Sequence, residues 1–370
     1  MKIDTFLAER WMDEYDSGIV HNLNLTCPGA LSLDDLIALC GLDRAATLSS
    51  LAGETLGYGP VRGIPPLLEG ISTLYSAVGP RDIMTAHGAT GANHLALWAL
   101  VEAGDRVISM VPAYQQITAI PAAFGAVVVP LALRREHGWL PDLDELEALL
   151  AGGAKLICLN SPNNPTGAML SEAMLRDIAA LARKAGAWVL CDEAYWGLSA
   201  APCPAMADLY ERGISVSSVS KGFSMPGLRL GWMACRDSGF METALRRRDY
   251  NTITCGTLDE AVAALAVAHN TVILPRNRAI VAENLALLAG WMARQSAFSW
   301  VRPTGGTTAL LHYKGDAPSE AVCRRLLREH GVYLLPGDAF GVPNSLRIGY
   351  AGAHPALAAG LAALDASPRP

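Results

Sequence analysis

The sequence predicts an α/β protein: a large domain built on a parallel sheet, plus a smaller α+β domain. Three observations carry that expectation. Between positions 81 and 232 short apolar runs alternate with helix-length segments, the pattern of strands joined by covering helices. At 370 residues the chain exceeds what one hydrophobic core usually organises, and a hydrophobic fraction of 51% supports a sizeable interior. Positions 277–295 read as one long amphipathic helix, interrupted only by Gly290, that can carry the chain out of the larger domain.

The first sixteen residues mix charges and lack both the apolar core and the small-residue cleavage site of a signal peptide, so a cytoplasmic protein is expected. Strands are expected at 82–86, 106–110, 126–131, 155–159, 187–191, 214–219 and 228–234, with helices between them, for example at 92–102 and 172–185. The most apolar stretch, 117–133, is broken by Pro121, Gly125 and Pro130 and is too short to span a membrane; it reads as a buried helix followed by a buried strand. After the long helix, strands near 307–313 and 345–348 belong to the smaller domain, and the tail after Ala366 reads as frayed. The larger domain is placed at residues 45–275, the smaller at 1–44 with 276–370.

A formal net charge of −6 offers no basic surplus for nucleic acid or anionic lipid, which leaves a small molecule as the default partner. Eight cysteines are scattered without a CxxC pair, several within apolar runs, and read mostly as reduced core residues. The eight histidines show no ligand spacing, and no metal site is expected.

Open parallel sheets bind ligands at the carboxyl ends of their strands, so the residues just after each strand matter most. After the first come His87-Gly88-Ala89-Thr90-Gly91-Ala92 and a helix, which offers backbone N–H groups at a positive helix end for a phosphate; such a turn also serves tight packing. After the fourth comes Asn160-Ser161-Pro162-Asn163-Asn164-Pro165-Thr166-Gly167, a stiff loop able to fix one amide side chain, or an ordinary turn. After the fifth, Asp192 ends an apolar strand in Asp192-Glu193-Ala194-Tyr195, where a charge is costly without a cationic or proton-donating partner. After the sixth comes Ser218-Val219-Ser220-Lys221-Gly222, then Arg229-Leu230-Gly231. A lysine there, near a second cation and partly buried, is disposed to be a nucleophilic amine; the alternative is an ion pair with Asp192.

The set NNPTG, DEAY, SxxK and RxG, in that order between about Gly57 and Gly349, resembles the fold-type I pyridoxal-phosphate enzymes, the class I and II aminotransferases. The resemblance implies the PLP-dependent transferase fold, with a mostly parallel seven-stranded sheet in the large domain, and pyridoxal 5′-phosphate as cofactor. It implies that Lys221 holds the cofactor as a Schiff base and shuttles the substrate proton, and that Asp192 partners the pyridinium nitrogen. Tyr195 and Asn164 correspond to hydrogen-bond partners of the phenolic oxygen, and Tyr114 to the aromatic that stacks on the ring. Gly88, Ala89 and Thr90 correspond to the phosphate loop, Ser218 and Arg229 to phosphate-binding side chains. Arg347, in Ser345-Leu346-Arg347-Ile348-Gly349, corresponds to the arginine that clamps the substrate α-carboxylate, beside Asn164. Tyr58 corresponds to a tyrosine that reaches the neighbouring subunit's phosphate, which implies a homodimer.

The activity so implied is a transaminase working between an L-amino acid and a 2-oxo acid. Two substrate-facing regions depart from the common pattern: Gly305-Gly306-Thr307-Thr308, and His21-Asn22-Leu23-Asn24-Leu25-Thr26. With the 248–252 segment they are similar to the branch containing capreomycidine synthase, which implies the alternative of a lyase or cyclase acting on a hydroxylated arginine or another substituted amino acid. Arg62, Arg302, Glu193, His21 and Asn24 are further candidates for the pocket wall. A regulator that merely binds the cofactor is disfavoured, because the chain has no room or basic segment for a DNA-binding domain.

Overall fold

A computed structural model describes residues 2–15, 17–199 and 203–367, so the tail beyond Ser367 lies outside the described residues. All seven runs expected as strands enter one sheet, in the spatial order Ile83–His87, Leu230–Ala234, Gly213–Ser218, Trp188–Asp192, Leu156–Asn160, Arg106–Val111, Val127–Ala132. The sheet is mostly parallel: only Leu230–Ala234 runs against its neighbours. Leu156–Asn160, Gly213–Ser218 and Leu230–Ala234 are buried at every position, because helices cover both faces and apolar or small side chains are needed on each side.

Local chemistry sets several boundaries. The helix Glu172–Ala185 starts where the Ser171 hydroxyl accepts the Met174 N–H and stops where Gly186 turns left-handed at φ 70°. The first covering helix, Gly88–Leu100, begins four residues earlier than the periodicity indicates, which makes Gly88, Ala89 and Thr90 its opening turn. The long helix is Asn270–Met292 and contains Pro275; it begins before 277 because one missing hydrogen bond near a helix start is tolerated when Ile273, Leu274 and Asn277 are buried. The strand Val127–Ala132 is not buried as expected: it is the sheet edge, Val127 is exposed, and Pro130 is accommodated there.

The second part of the fold is a five-stranded sheet in which Thr308–Tyr313, Ser345–Tyr350 and Leu335–Pro336 form an antiparallel core. Residues from the start of the chain complete it. Asn24–Leu25 pairs parallel with Ser345–Tyr350, and His21–Asn22 pairs with Val332–Tyr333. Leu23 packs there with Ala309, Leu311, Leu346, Ile348 and Leu357. The N-terminal segment thus reaches the loop after strand Gly213–Ser218, where Lys221 donates to Thr26.

The eight cysteines are all free; five are buried and Cys27, Cys40 and Cys203 are half-buried. Among the described residues no single helix is long and apolar enough to cross a membrane. The one bent pair of sufficient length, Thr257–Ala268 with Asn270–Met292, buries Ala263, Ala266, Val267, Ile273 and Leu274 in a hydrophobic cluster.

Candidate active site

Three glycine-dependent close approaches shape the site, one to a side chain and two to backbone. Gly88 has φ +69°, and a Cβ on it would stand 2.9 Å from Arg229 Nη2. A Cβ on Gly231 would stand 2.4 Å from the Gly88 carbonyl carbon and 2.6 Å from the Ala89 nitrogen, so the RxG glycine lets strand Leu230–Ala234 pass beneath the loop. Gly167, at φ +72°, would carry a Cβ 2.3 Å from the Thr308 oxygen, which is how the NNPTG loop docks on the smaller sheet. Arg229 is itself left-handed at φ 50° and donates to the Pro226 carbonyl at 3.0 Å. Its guanidinium therefore lies against a helix start whose first N–H groups have no intrahelical partner, an arrangement that seats an anion.

Asp192 ends its strand 3% exposed. Burial pushes its carboxyl up, an effect partly offset by the Asn93 amide, which donates at 2.7 Å, and by the Ala194 N–H at 3.0 Å. Among the described residues no salt bridge gives it a cation, and a protonated ring nitrogen would supply one. Asn93 Oδ1 is itself buried without a partner among the described residues. Lys221 is half-buried and donates to Thr26 Oγ1 at 2.9 Å, so the ion pair with Asp192 weighed from the sequence is not what holds it.

At the opposite end Arg347 is 4% exposed. It donates to Asn164 Oδ1 at 3.1 Å and to Asn24 Oδ1, and its Nε has no partner among the described residues. Burial lowers its pKa, offset by nearby Tyr195 and Glu9; an incoming carboxylate would answer both the charge and the spare donor. Tyr114 donates to Glu9 at 2.7 Å, and burial together with that carboxylate pushes its phenol far up, so it stays neutral. The bonds Val111–Pro112, Ser161–Pro162 and Asn164–Pro165 are cis.

These ends belong to one cavity of about 570 Å³. Ala89, Thr90, Tyr114, Asn164, Asp192, Tyr195, Ser218, Lys221, Arg229 and Arg347 all line it, and Gly88 lies directly under Arg229. Tyr58 does not: it is 86% exposed on the surface of the chain. Of the further wall candidates only Asn24 lines the cavity. Glu193 turns to the other side of its strand, toward the Met206 N–H and the Ser215 hydroxyl, and borders a separate cavity of about 320 Å³. Arg62 instead donates to the Arg81 carbonyl and His21 pairs in a two-stranded sheet. The Gly305-Gly306 turn packs on Pro162 and Tyr195 rather than facing the cavity, because a Cβ on Gly305 would meet Pro162 at 3.0 Å and one on Gly306 at 3.3 Å.

Sequence reasoning missed Phe6, Ala8, Glu9 and Met12 from the first helix and the pair Asn93 and Gln116, and it named Thr26 only as part of the substrate-facing His21-to-Thr26 segment. Only Asn93 left a local signal, a polar residue on the buried face of an otherwise apolar helix. The others reach the cavity through long-range packing.

Residues 39–363 match the model of the family described as aminotransferase class I and II. The chain is 34% identical to capreomycidine synthase of Streptomyces vinaceus over 76% of its own length and 73% of that protein's. It is 31% identical to an arginine–pyruvate transaminase of Pseudomonas aeruginosa, over 84% of this chain and 82% of that one. Among solved structures, a PLP-dependent aminotransferase from Streptococcus suis superposes with a TM-score of 0.96 at 38% identity, covering 99% of this chain and 98% of that one.

Proposed function

The chain belongs to the class I and II aminotransferases, whose cofactor is pyridoxal 5′-phosphate, and from that premise we propose that it moves an amino group between an L-amino acid and a 2-oxo acid, with Lys221 as the amine that attaches the cofactor. The observation that carries this reading is convergence. A lysine, a buried carboxylate lacking a cation, an anion seat and a buried arginine with a spare donor face one cavity of about 570 Å³.

The residues present fit the cofactor. Ser218, Arg229 and the N–H groups of Ala89 and Thr90 would hold its phosphate, with Gly88 making room for Arg229. Asp192 would hold the ring nitrogen, Tyr195 and Asn164 the phenolic oxygen, and Tyr114 the ring face. When bound, the cofactor supplies an aldehyde carbon and an electron-accepting ring. The chain would supply the rest: Arg347 would orient the substrate by its α-carboxylate, and Lys221, once free, would take the proton from the substrate Cα and deliver it across the nitrogen to the former aldehyde carbon, two bonds away. Its partner Thr26 holds that amine inside the cavity when no substrate does. Lys221→Ala should abolish turnover while leaving the fold and melting temperature intact; retained activity would sink the assignment.

Tyr58 is exposed on this chain together with Leu56, Tyr250, Ile253 and Leu258, which supports a homodimer in which Tyr58 completes the partner's phosphate site.

A second reading is a cyclase or lyase acting on a substituted amino acid such as a hydroxylated arginine. It is supported by the similarity to capreomycidine synthase and by the His21-to-Thr26 segment, which brings Asn24 and Thr26 to the cavity where the common family motif differs. Both reactions start with the same proton transfer by Lys221, so the test is product analysis. Holoenzyme is mixed with a panel of amino acids, including arginine and its hydroxylated forms, without any amino acceptor. One 2-oxo acid released per subunit, with loss of the cofactor's aldehyde-form absorbance, supports transamination. Repeated turnover to a cyclised or eliminated product, with that absorbance restored, supports the second reading.

A further inference from the structure

We propose that the carboxylate of Glu9 reads the substrate side chain and selects amino acids that carry a cation there, a guanidinium or an ammonium group. The proposal rests on the aminotransferase reading of the cavity and adds to it the class of substrate.

Five charged side chains line the cavity: Glu9, Asp192, Lys221, Arg229 and Arg347. Four have an assigned partner once cofactor and α-carboxylate are in place. Glu9 does not. Among the described residues no lysine, arginine or histidine forms a salt bridge with it. A carboxylate offers about four acceptor sites, and the Tyr114 hydroxyl uses one, at 2.7 Å. A half-buried anion with spare acceptors facing a substrate-sized space is most stabilised by a cation brought in with the substrate.

The carboxylate is held in place. It sits in the first turn of the helix Leu7–Glu14, and that arm is clamped by one side chain: Gln115 Oε1 accepts the Leu7 N–H at 3.0 Å while Gln115 Nε2 donates to the Thr5 carbonyl at 2.8 Å. Phe6 packs on Tyr114 with ring centroids 4.8 Å apart, and Trp11 Nε1 donates to the Leu334 carbonyl at 3.0 Å. Phe6 and Met12 line the cavity beside Glu9 and present apolar surface to an aliphatic stem, leaving the charged end to the carboxylate. Arg347, which would fix the other end of the substrate, is close enough to Glu9 for the two charges to influence each other without forming a salt bridge.

Cofactor-loaded enzyme is titrated with L-arginine, its neutral near-isostere L-citrulline, and L-norleucine, with binding followed by the absorbance of the bound cofactor. Glu9→Gln keeps an oxygen for the Tyr114 hydroxyl and removes only the charge. Native enzyme should bind arginine about 10- to 100-fold more tightly than citrulline, and Glu9→Gln should erase that difference while changing citrulline and norleucine by no more than about twofold. Equal affinity for arginine and citrulline in the native enzyme, a comparison that needs no variant, overturns the proposal. So does equal weakening of all three ligands in Glu9→Gln, the result expected if Glu9 only positions Tyr114. An absorbance response to amino acids without charge preference leaves the aminotransferase reading standing; if no amino acid perturbs the absorbance, both fall.

Discussion

Two adjacent carboxylates show how side chains one position apart acquire different tasks. Asp192 closes its strand facing the cavity, and Glu193 turns to the opposite side, where the Met206 N–H and the Ser215 hydroxyl meet it at 2.8 and 2.9 Å. Burial pushes the Glu193 carboxyl up to about 8, with those two hydrogen bonds offsetting part of the effect. Between the ordinary value of 4.5 and about 8 the folded chain therefore keeps a proton that the unfolded chain has released. The associated stability is fully present below pH 4.5 and is lost as pH rises through about 8. Relative to Glu193→Gln, which lacks this titration, native protein should lose roughly a few kcal/mol between pH 5 and 8. Parallel denaturant titrations across that range check it, and superimposable pH profiles would refute a buried neutral Glu193. Asp192, three bonds of backbone away, lines the cavity with no salt bridge to a cation among the described residues.

The loop between strand Ile83–His87 and helix Gly88–Leu100 works only because strand Leu230–Ala234 passes under it at van der Waals distance. The antiparallel pairing puts Gly231 opposite Ala86 and next to Gly88, and a methyl group there would stand 2.4 Å from backbone carbon. Backbone cannot step aside as a side-chain tip can. Gly231→Ala should therefore cost about 1–3 kcal/mol of stability and also displace Arg229 from the helix start. The expected result is a lower melting temperature together with cofactor lost on dialysis; a fully loaded, fully stable variant would show that the loop is not tied to that strand. The same element logic explains why glycine-bearing motifs were readable in advance. NNPTG, RxG and the Gly88 turn are local requirements of the backbone, and each occupies only a few consecutive residues.

At the scale of the molecule the site joins two sheets and the first helix, and the proposed dimer would add a fourth contribution. Tyr58 is 86% exposed, and Leu56 and Tyr250 are likewise far more exposed than apolar side chains of their size usually are. Sedimentation should give a dimer. If the Tyr58 hydroxyl reaches the partner's phosphate, Tyr58→Phe should weaken cofactor binding about 10- to 100-fold without dissociating the dimer. A monomer in sedimentation, or unchanged cofactor affinity in Tyr58→Phe, would remove Tyr58 from the site.

Periodicity by itself determined the seven strands of the large sheet and the helix Glu172–Ala185 to the residue, and motif resemblance pointed to residues between Ala89 and Arg229 that line one cavity. Those features are local: a buried strand needs a continuous apolar run, a cap needs its hydroxyl or glycine, and a phosphate turn needs its small residues in consecutive positions. Tertiary structure alone decided that Val127–Ala132 is an edge, that Thr26 rather than Asp192 meets Lys221, and that Gly305-Gly306 backs the NNPTG loop. It also decided that an N-terminal helix lines the cavity. Glu9 is 105 residues from the tyrosine it binds and Thr26 is 195 from the lysine. Contacts over such separations are set by how two sheets and a clamped arm pack together, and no spacing in the sequence encodes them.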